Sequence, residues 1–169
     1  WMPQALYTVT KLDIPDHLSL HPMTILELSK TCAVDIKMLN ALMVALVSAQ
    51  IFSLDPECRY CLTPLSRRLL KDVPGSLRNT LLVKAERDYL AWTGLLEAVR
   101  QGRPAHDIVF RQPLYKHLSE NPVQGDTFSE SMAELSFGIT PGLAKVLTKL
   151  GINHLLDVGS GNGLSLIHI

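Results

Sequence analysis

The residues best placed to do chemistry lie near the end of the chain, where residues 152–158 run into Asp157-Val158-Gly159-Ser160-Gly161-Asn162-Gly163. Glycines at alternate positions let the backbone turn sharply and leave room for a ligand where a Cβ would otherwise stand. At the carboxyl end of the first strand of a doubly wound sheet, such a loop is where nucleotide-like cofactors bind. The spacing narrows the choice. A dinucleotide fold wants a third glycine at position 164, where Leu164 stands, and a phosphate-binding P-loop wants Gly-Lys-Ser/Thr, which is absent. Here the third glycine falls at 163, and Asp157 precedes the first by two residues.

That pattern suits S-adenosylmethionine, which carries no pyrophosphate and so needs no phosphate cradle between turn and helix. A glycine loop close to its methionine and ribose parts, with Asp157 at the strand end, is what this stretch resembles. The same glycines also fit a turn between a strand and a helix with no ligand at all. A second candidate is Cys58-x-x-Cys61, which His17 and His21 could complete as a Cys2His2 zinc set. The order is unlike zinc-finger spacing, and Tyr60 and Leu62 fit a plain strand, so no metal is expected.

Several elements must hold these residues. Residues 5–12 read as a helix with Leu6, Val9 and Leu12 on one face and Pro15 stopping it. Thr24 with Glu27 three residues on is a capping-box pattern opening another. Asp35 opens the strongest helix, residues 35–50, apolar nearly all round and therefore expected to be buried on several sides. Two short strands, residues 51–54 and 59–62, flank an Asp55-Pro56-Glu57 turn. Three helices followed by a hairpin is the order of a winged helix. Thr63 and Pro64 start a short helix, and Pro74-Gly75-Ser76 marks a hinge. Residues 77–99 read as one helix with a stripe of Leu81, Leu82, Ala85, Tyr89, Trp92, Leu96 and Val99, ended by Gly102-Arg103-Pro104. Residues 114–118, 127–135 and 141–150 read as further helices, and 152–158 as a buried strand.

At 169 residues, with 47% hydrophobic and 19% charged side chains, the chain suits a globular core rather than disorder. Sixteen basic residues balance sixteen acidic ones, so no global attraction for nucleic acid or an anionic membrane exists. The most apolar segment, residues 38–47, is far short of the ~20 residues a membrane helix needs. Three cysteines and no visible signal peptide point to the cytoplasm. The chain begins at Trp1 in a helix-like segment and finishes on Leu164-Ser165-Leu166-Ile167-His168-Ile169. Both ends are therefore expected to be incomplete, and the final residues look like translated adapter sequence without functional weight.

Five stretches together resemble a family. They are Lys11-Leu12-Asp13-Ile14-Pro15-Asp16, Met23-Thr24-Ile25-Leu26-Glu27-Leu28, Leu62-Thr63-Pro64-Leu65-Ser66, Phe128-Ser129-Glu130-Ser131-Met132 and the glycine loop. In this order they resemble the S-adenosylmethionine-dependent small-molecule O-methyltransferases: the plant caffeic-acid-type, bacterial polyketide-tailoring and hydroxyindole enzymes. The resemblance implies a mainly α chain: a winged-helix dimerisation domain (residues 1–75), linker helices (76–104) and the start of a truncated Rossmann-like methyltransferase domain with its first β-strand (105–169). It implies a homodimer and a small, hydroxyl-bearing substrate. Phe128, Met132 and Ser136 match a Phe-x3-Met-x3-Ser pattern that lines the cofactor and substrate cleft in the family. Asp157, Gly159 and Gly161 match its cofactor loop. Spaced four apart on a helix, Phe128 and Met132 could equally be core.

The family's acid for the cofactor ribose lies at the end of the second strand, roughly 20 residues past the loop, and its histidine base lies further on. Neither is in this sequence, and none of the six histidines matches a catalytic position of the family. No catalytic residue is therefore expected here, and the chain by itself should be inactive. A winged-helix DNA-binding regulator is the competing expectation. It needs exposed basic and amide side chains on the recognition helix, and residues 35–50 offer only Lys37, Asn40 and Gln50.

Overall fold

Met2–Lys11 forms α1 in the computed structural model, which describes residues 1–151, 154–159 and 163. Ala5 and Val9, four apart and buried, mark its inner face. It ends where Asp13 turns left-handed (φ 53°), a conformation that aspartate tolerates. Pro15 does not stop this helix; it stands in the first turn of α2 (Ile14–Leu20), which the sequence did not suggest. The first turn has no use for an N–H that proline lacks, and the fixed proline φ already suits it.

Helix α3 (Ile25–Cys32) opens on the expected capping box: the Glu27 N–H donates to Thr24 Oγ1 at 3.3 Å, and the Thr24 N–H donates to Glu27 Oε2 at 2.7 Å. Helix α4 (Ile36–Ser48) opens on Asp35, whose carboxylate accepts the Met38 N–H at 2.8 Å. Strands β1 (Phe52–Leu54) and β2 (Tyr60–Leu62) pair antiparallel, with Phe52 opposite Leu62 and Leu54 opposite Tyr60. Between them Asp55 accepts hydrogen bonds from the N–H groups of Glu57 and Arg59, at 3.0 and 2.8 Å, and fixes the turn. Val9, Ile14, Leu28, Leu39, Met43, Leu46 and Phe52 close one core beneath these elements.

Thr63 then caps α5 (Pro64–Arg67) and donates its hydroxyl to the Ile51 carbonyl at 2.7 Å, tying the helix to the base of the hairpin. Arg78 begins α6 (Arg78–Val83) and is only 11% exposed. Its guanidinium reaches Asp13 at 2.5 Å and Asp16 at 3.3 Å, while Lys71 Nζ lies 2.7 Å from Asp13. These ion pairs, with Gln4 Nε2 donating to the Ala85 carbonyl at 2.8 Å, return the chain to the start of the fold. They complete the first of two compact units, Trp1–Ala85; the second is Glu86–Ile169.

The helix expected over residues 77–99 is broken. A π-helical turn, Lys84–Asp88, follows α6; then come α7 (Tyr89–Trp92) and α8 (Leu95–Gln101). The break sits at Gly94, where a Cβ would stand 2.8 Å from Val109 Cγ2 and 3.2 Å from the Ala105 carbonyl oxygen. Those two residues belong to α9 (Ala105–Phe110), a helix the sequence did not suggest. Its close passage demands a glycine, and the glycine interrupts the long helix. Gly102 ends α8 in the left-handed conformation (φ 63°) as expected. Helices α10 (Leu114–Glu120), α11 (Pro122–Ser136) and α12 (Thr140–Lys149) follow.

The expected strand over residues 152–158 is not formed among the described residues. Ile152 and Asn153 lie outside them, and residues 154–159 belong to no helix or strand. Leu156 and Val158 are 86% and 87% exposed rather than buried. A strand needs a neighbour to satisfy its N–H and C=O groups, and β1 and β2, the strands among the described residues, pair with each other. The described fold is thus helical with one small hairpin. No single helix among these residues is long and apolar enough to cross a membrane; α3 and α4 pass such a test only as a pair, bent by 119°.

Candidate functional site

Helix α11 carries Phe128, Met132 and Ser136 at intervals of four, which places them along one stripe. Phe128 is half-buried. The guanidinium of Arg87 stands 5.0 Å from its ring centre, a cation–π contact. Arg87 comes from the π-helical turn, is 8% exposed, and donates through Nε and Nη2 to Asp88 Oδ1 at 3.0 and 2.7 Å. Met132 is 40% exposed, so it is not a packed core residue among the described elements. The Ser136 hydroxyl turns back to the Met132 carbonyl at 2.9 Å. The structure therefore brings three of the expected site residues together on one helix.

The loop residues are placed less completely. Asp157 is partly buried and Gly159 is exposed. Gly159 (φ 83°) and Gly163 (φ 70°) both adopt the left-handed conformation for which glycine is suited. Gly161 lies outside the described residues.

An aromatic cluster in the second unit went unnoticed in the sequence. His106 stacks on Phe110, one turn along α9, with ring centres 4.6 Å apart. His117 of α10 meets His106 edge-on at 5.6 Å. Gln112 Nε2 lies 3.0 Å from His117 Nδ1, and Gln124 Oε1 lies 3.0 Å from His117 Nε2. Both ring nitrogens of His106 are buried without a hydrogen-bond partner. The available signal was the four-residue spacing of His106 and Phe110, hidden because Gly102 and Pro104 read as the end of a helix rather than the approach to another.

In the first unit, α4 is not buried on several sides. Leu39, Met43 and Leu46 turn into the core, but Met38 and Val44 are 73% and 51% exposed. An apolar helix keeps both faces dry only if something covers the second, and nothing within this unit does. Cys58 sits exposed at the hairpin and Cys61 is half-buried; among the described residues no three His, Cys, Asp or Glu side chains gather as a metal site. Burial, and then the charge of Asp13, push the Cys32 thiol up, away from the reactive thiolate.

Residues 1–72, the span from α1 to just past α5, match the family model described as the O-methyltransferase dimerisation domain. Among proteins similar to this chain, phenazine-1-carboxylate N-methyltransferase of Pseudomonas aeruginosa is 30% identical over 165 residues, covering 96% of this chain and 48% of the relative. O-demethylpuromycin-O-methyltransferase of Streptomyces alboniger is 30% identical, covering 84% of this chain and 38% of the relative. The crystal structure of N,N-8-amino-8-demethyl-D-riboflavin dimethyltransferase from Streptomyces davawensis superposes with a TM-score of 0.75 at 31% identity, over 82% of this chain and 42% of that one. The chain thus spans about half the length, or less, of the methyltransferases it matches.

Proposed function

We propose that this chain is the N-terminal part of an enzyme that transfers a methyl group from S-adenosylmethionine to a hydroxyl of a small aromatic molecule. The family match over residues 1–72 carries the proposal. In it residues 1–75 are a winged-helix dimerisation domain, 76–104 linker helices, and 105–169 the opening of a Rossmann-like cofactor domain. The exposed apolar face of α4, with Met38 and Val44, supplies a surface for a second copy. The exposed side of α4 offers only Lys37 and Asn40 as basic or amide side chains, few for reading DNA, so the regulator is not favoured.

Asp157, Gly159, Gly161, Met132 and Ser136 are the cofactor-side residues in this proposal, and Phe128 and Met132 the substrate side. The chemistry is an in-line displacement. The substrate oxygen attacks the sulfonium methyl, the sulfur–carbon bond breaks, S-adenosylhomocysteine leaves, and a base takes the hydroxyl proton. This chain supplies cleft residues, not the base. Two of the three relatives described act on nitrogen by name, so the hydroxyl acceptor belongs to the proposal alone.

Calorimetric titration of S-adenosylmethionine tests the proposal, on this chain and on the same chain continued through a full C-terminal catalytic domain. Binding is expected only for the longer protein. A longer protein that takes up no cofactor overturns the proposal and leaves the glycine loop as a structural turn.

A further inference from the structure

We propose that Arg87 is a positioning residue for the aromatic acceptor, acting through Phe128, whose ring it holds in one orientation on the substrate side of the cleft. This rests on the reading above, in which Phe128 and Met132 face the substrate. Three features inside the second unit carry it. Arg87 belongs to the π-helical turn Lys84–Asp88, whose wider bonding re-aims side chains relative to a continuing α-helix. Its guanidinium stands 5.0 Å from the centre of the Phe128 ring on α11. The residue is also only 8% exposed, so its charge is largely withdrawn from water, which costs free energy unless partners replace the solvent.

Two contacts offset that cost. The Asp88 carboxylate accepts from Nε and Nη2 at 3.0 and 2.7 Å through a single oxygen, Oδ1, which orients the guanidinium. The negative face of the Phe128 ring meets the cation, an attraction that grows as water is excluded. Phe128 needs such a partner. Its ring is half-buried, so packing covers only part of it. The backbone beneath is held by Ser131, 1% exposed, whose hydroxyl donates to the Phe128 carbonyl at 2.7 Å. The cation on the face then selects one ring orientation. Met132, one turn along and 40% exposed, leaves apolar surface open beside it. How well an aromatic acceptor packs there depends on the tilt of the Phe128 ring. Arg87 therefore governs acceptor affinity without touching the acceptor.

The kinetic test uses the chain continued through a full C-terminal catalytic domain, with 2-naphthol as the hydroxyl-bearing aromatic probe. Arg87→Met keeps an unbranched apolar stem and removes the cation. It is expected to raise KM for 2-naphthol by about tenfold, the scale of a desolvated cation–π contact, while kcat and the Kd for S-adenosylmethionine hold. Phe128→Leu should raise KM as well, and adding Arg87→Met to it should do nothing more, because the ring on which Arg87 acts is gone. An unchanged KM in Arg87→Met, or a further rise in the double variant, overturns the proposal and leaves the methyltransferase reading standing. A continued protein that binds no S-adenosylmethionine removes both. A second measurement, on the present chain, needs no acceptor. With ring-labelled phenylalanine, the NMR signals of Phe128 should move toward those of a freely rotating side chain in Arg87→Met, while those of Phe110 stay. Phe128 signals that do not move show that Arg87 does not hold the ring, and the proposal falls whatever the kinetics give.

Discussion

The two units of the chain bury their apolar residues very differently. In Trp1–Ala85, the side chains of Val9, Ile14, Leu28, Met43 and Leu46 are wholly removed from solvent and lie in one cluster. In Glu86–Ile169, Leu118 is the one large apolar side chain buried among the described residues, while Trp92, Leu96 and Val99 are 66%, 61% and 75% exposed. Both regions contain amphipathic helices. What separates them is whether the apolar faces find one another within the unit. Leu46→Ala should therefore cost about 3–4 kcal/mol, the lost transfer energy plus a cavity. Leu96→Ala, the same change on an exposed helix, should stay within about 0.5 kcal/mol. Urea denaturation measures both, and equal losses would erase the distinction between the units.

Next in size is the outward face of α4, where the first unit is itself incomplete. If a second copy covers Met38, as proposed, Met38→Asp should weaken self-association by at least about tenfold, since it places a charge in an apolar contact. Sedimentation velocity reads the change, and the unit should remain folded because Met38 is outside its core. An unaltered sedimentation coefficient would remove this face from the dimer. A smaller effect is expected at Thr63, which caps α5 and also bonds the Ile51 carbonyl. Thr63→Ala should destabilise the first unit by about 1 kcal/mol in the same denaturation experiment. No loss at all would mean that the hairpin is held by its core contacts alone.

The same contrast governs what the sequence could tell. Capping at Thr24 and Asp35, the hairpin turn at Asp55 and the short helix after Thr63 are local devices, and all were legible because each is closed within a few residues. The four-residue spacing of Phe128 and Met132 was legible as one helix face for the same reason, whereas Ser136 joined them only through the resemblance. The break at Gly94 was not, because its cause is α9, eleven or more residues further along and absent from any local window. Nor was the exposure of Val44 or Val99. Periodicity shows that a face is apolar but not what covers it. Residues 154–158 form no strand, because an apolar run becomes a strand only beside a partner. Arg87 over Phe128 was illegible too, joining a turn and a helix some forty positions apart.

The smallest effect sharpens the comparison from the electrostatic side, where the first unit closes on itself through Asp13. Burial alone would raise the Asp13 carboxyl. Hydrogen bonds from Lys71 and Arg78, together with their charges, outweigh it and hold the group below the usual carboxylate range. A carboxylate lowered in the folded state binds its proton more readily when the chain unfolds. Its contribution is thus fully present above the unfolded-state value of about 3.9 and is lost as pH falls through the lower folded-state value. The side chain is 35% exposed, so solvent screening keeps the contribution below about 1 kcal/mol. Asp13→Asn should therefore lower stability slightly at pH 7 and flatten the acid limb of the stability curve for this unit, and 1 M salt should shrink the difference. Thermal melts between pH 2 and pH 7 decide it. A variant whose acid limb is as steep as that of the parent would shift the burden to Asp16, the other carboxylate on Arg78, and leave Asp13 valued for its left-handed turn alone.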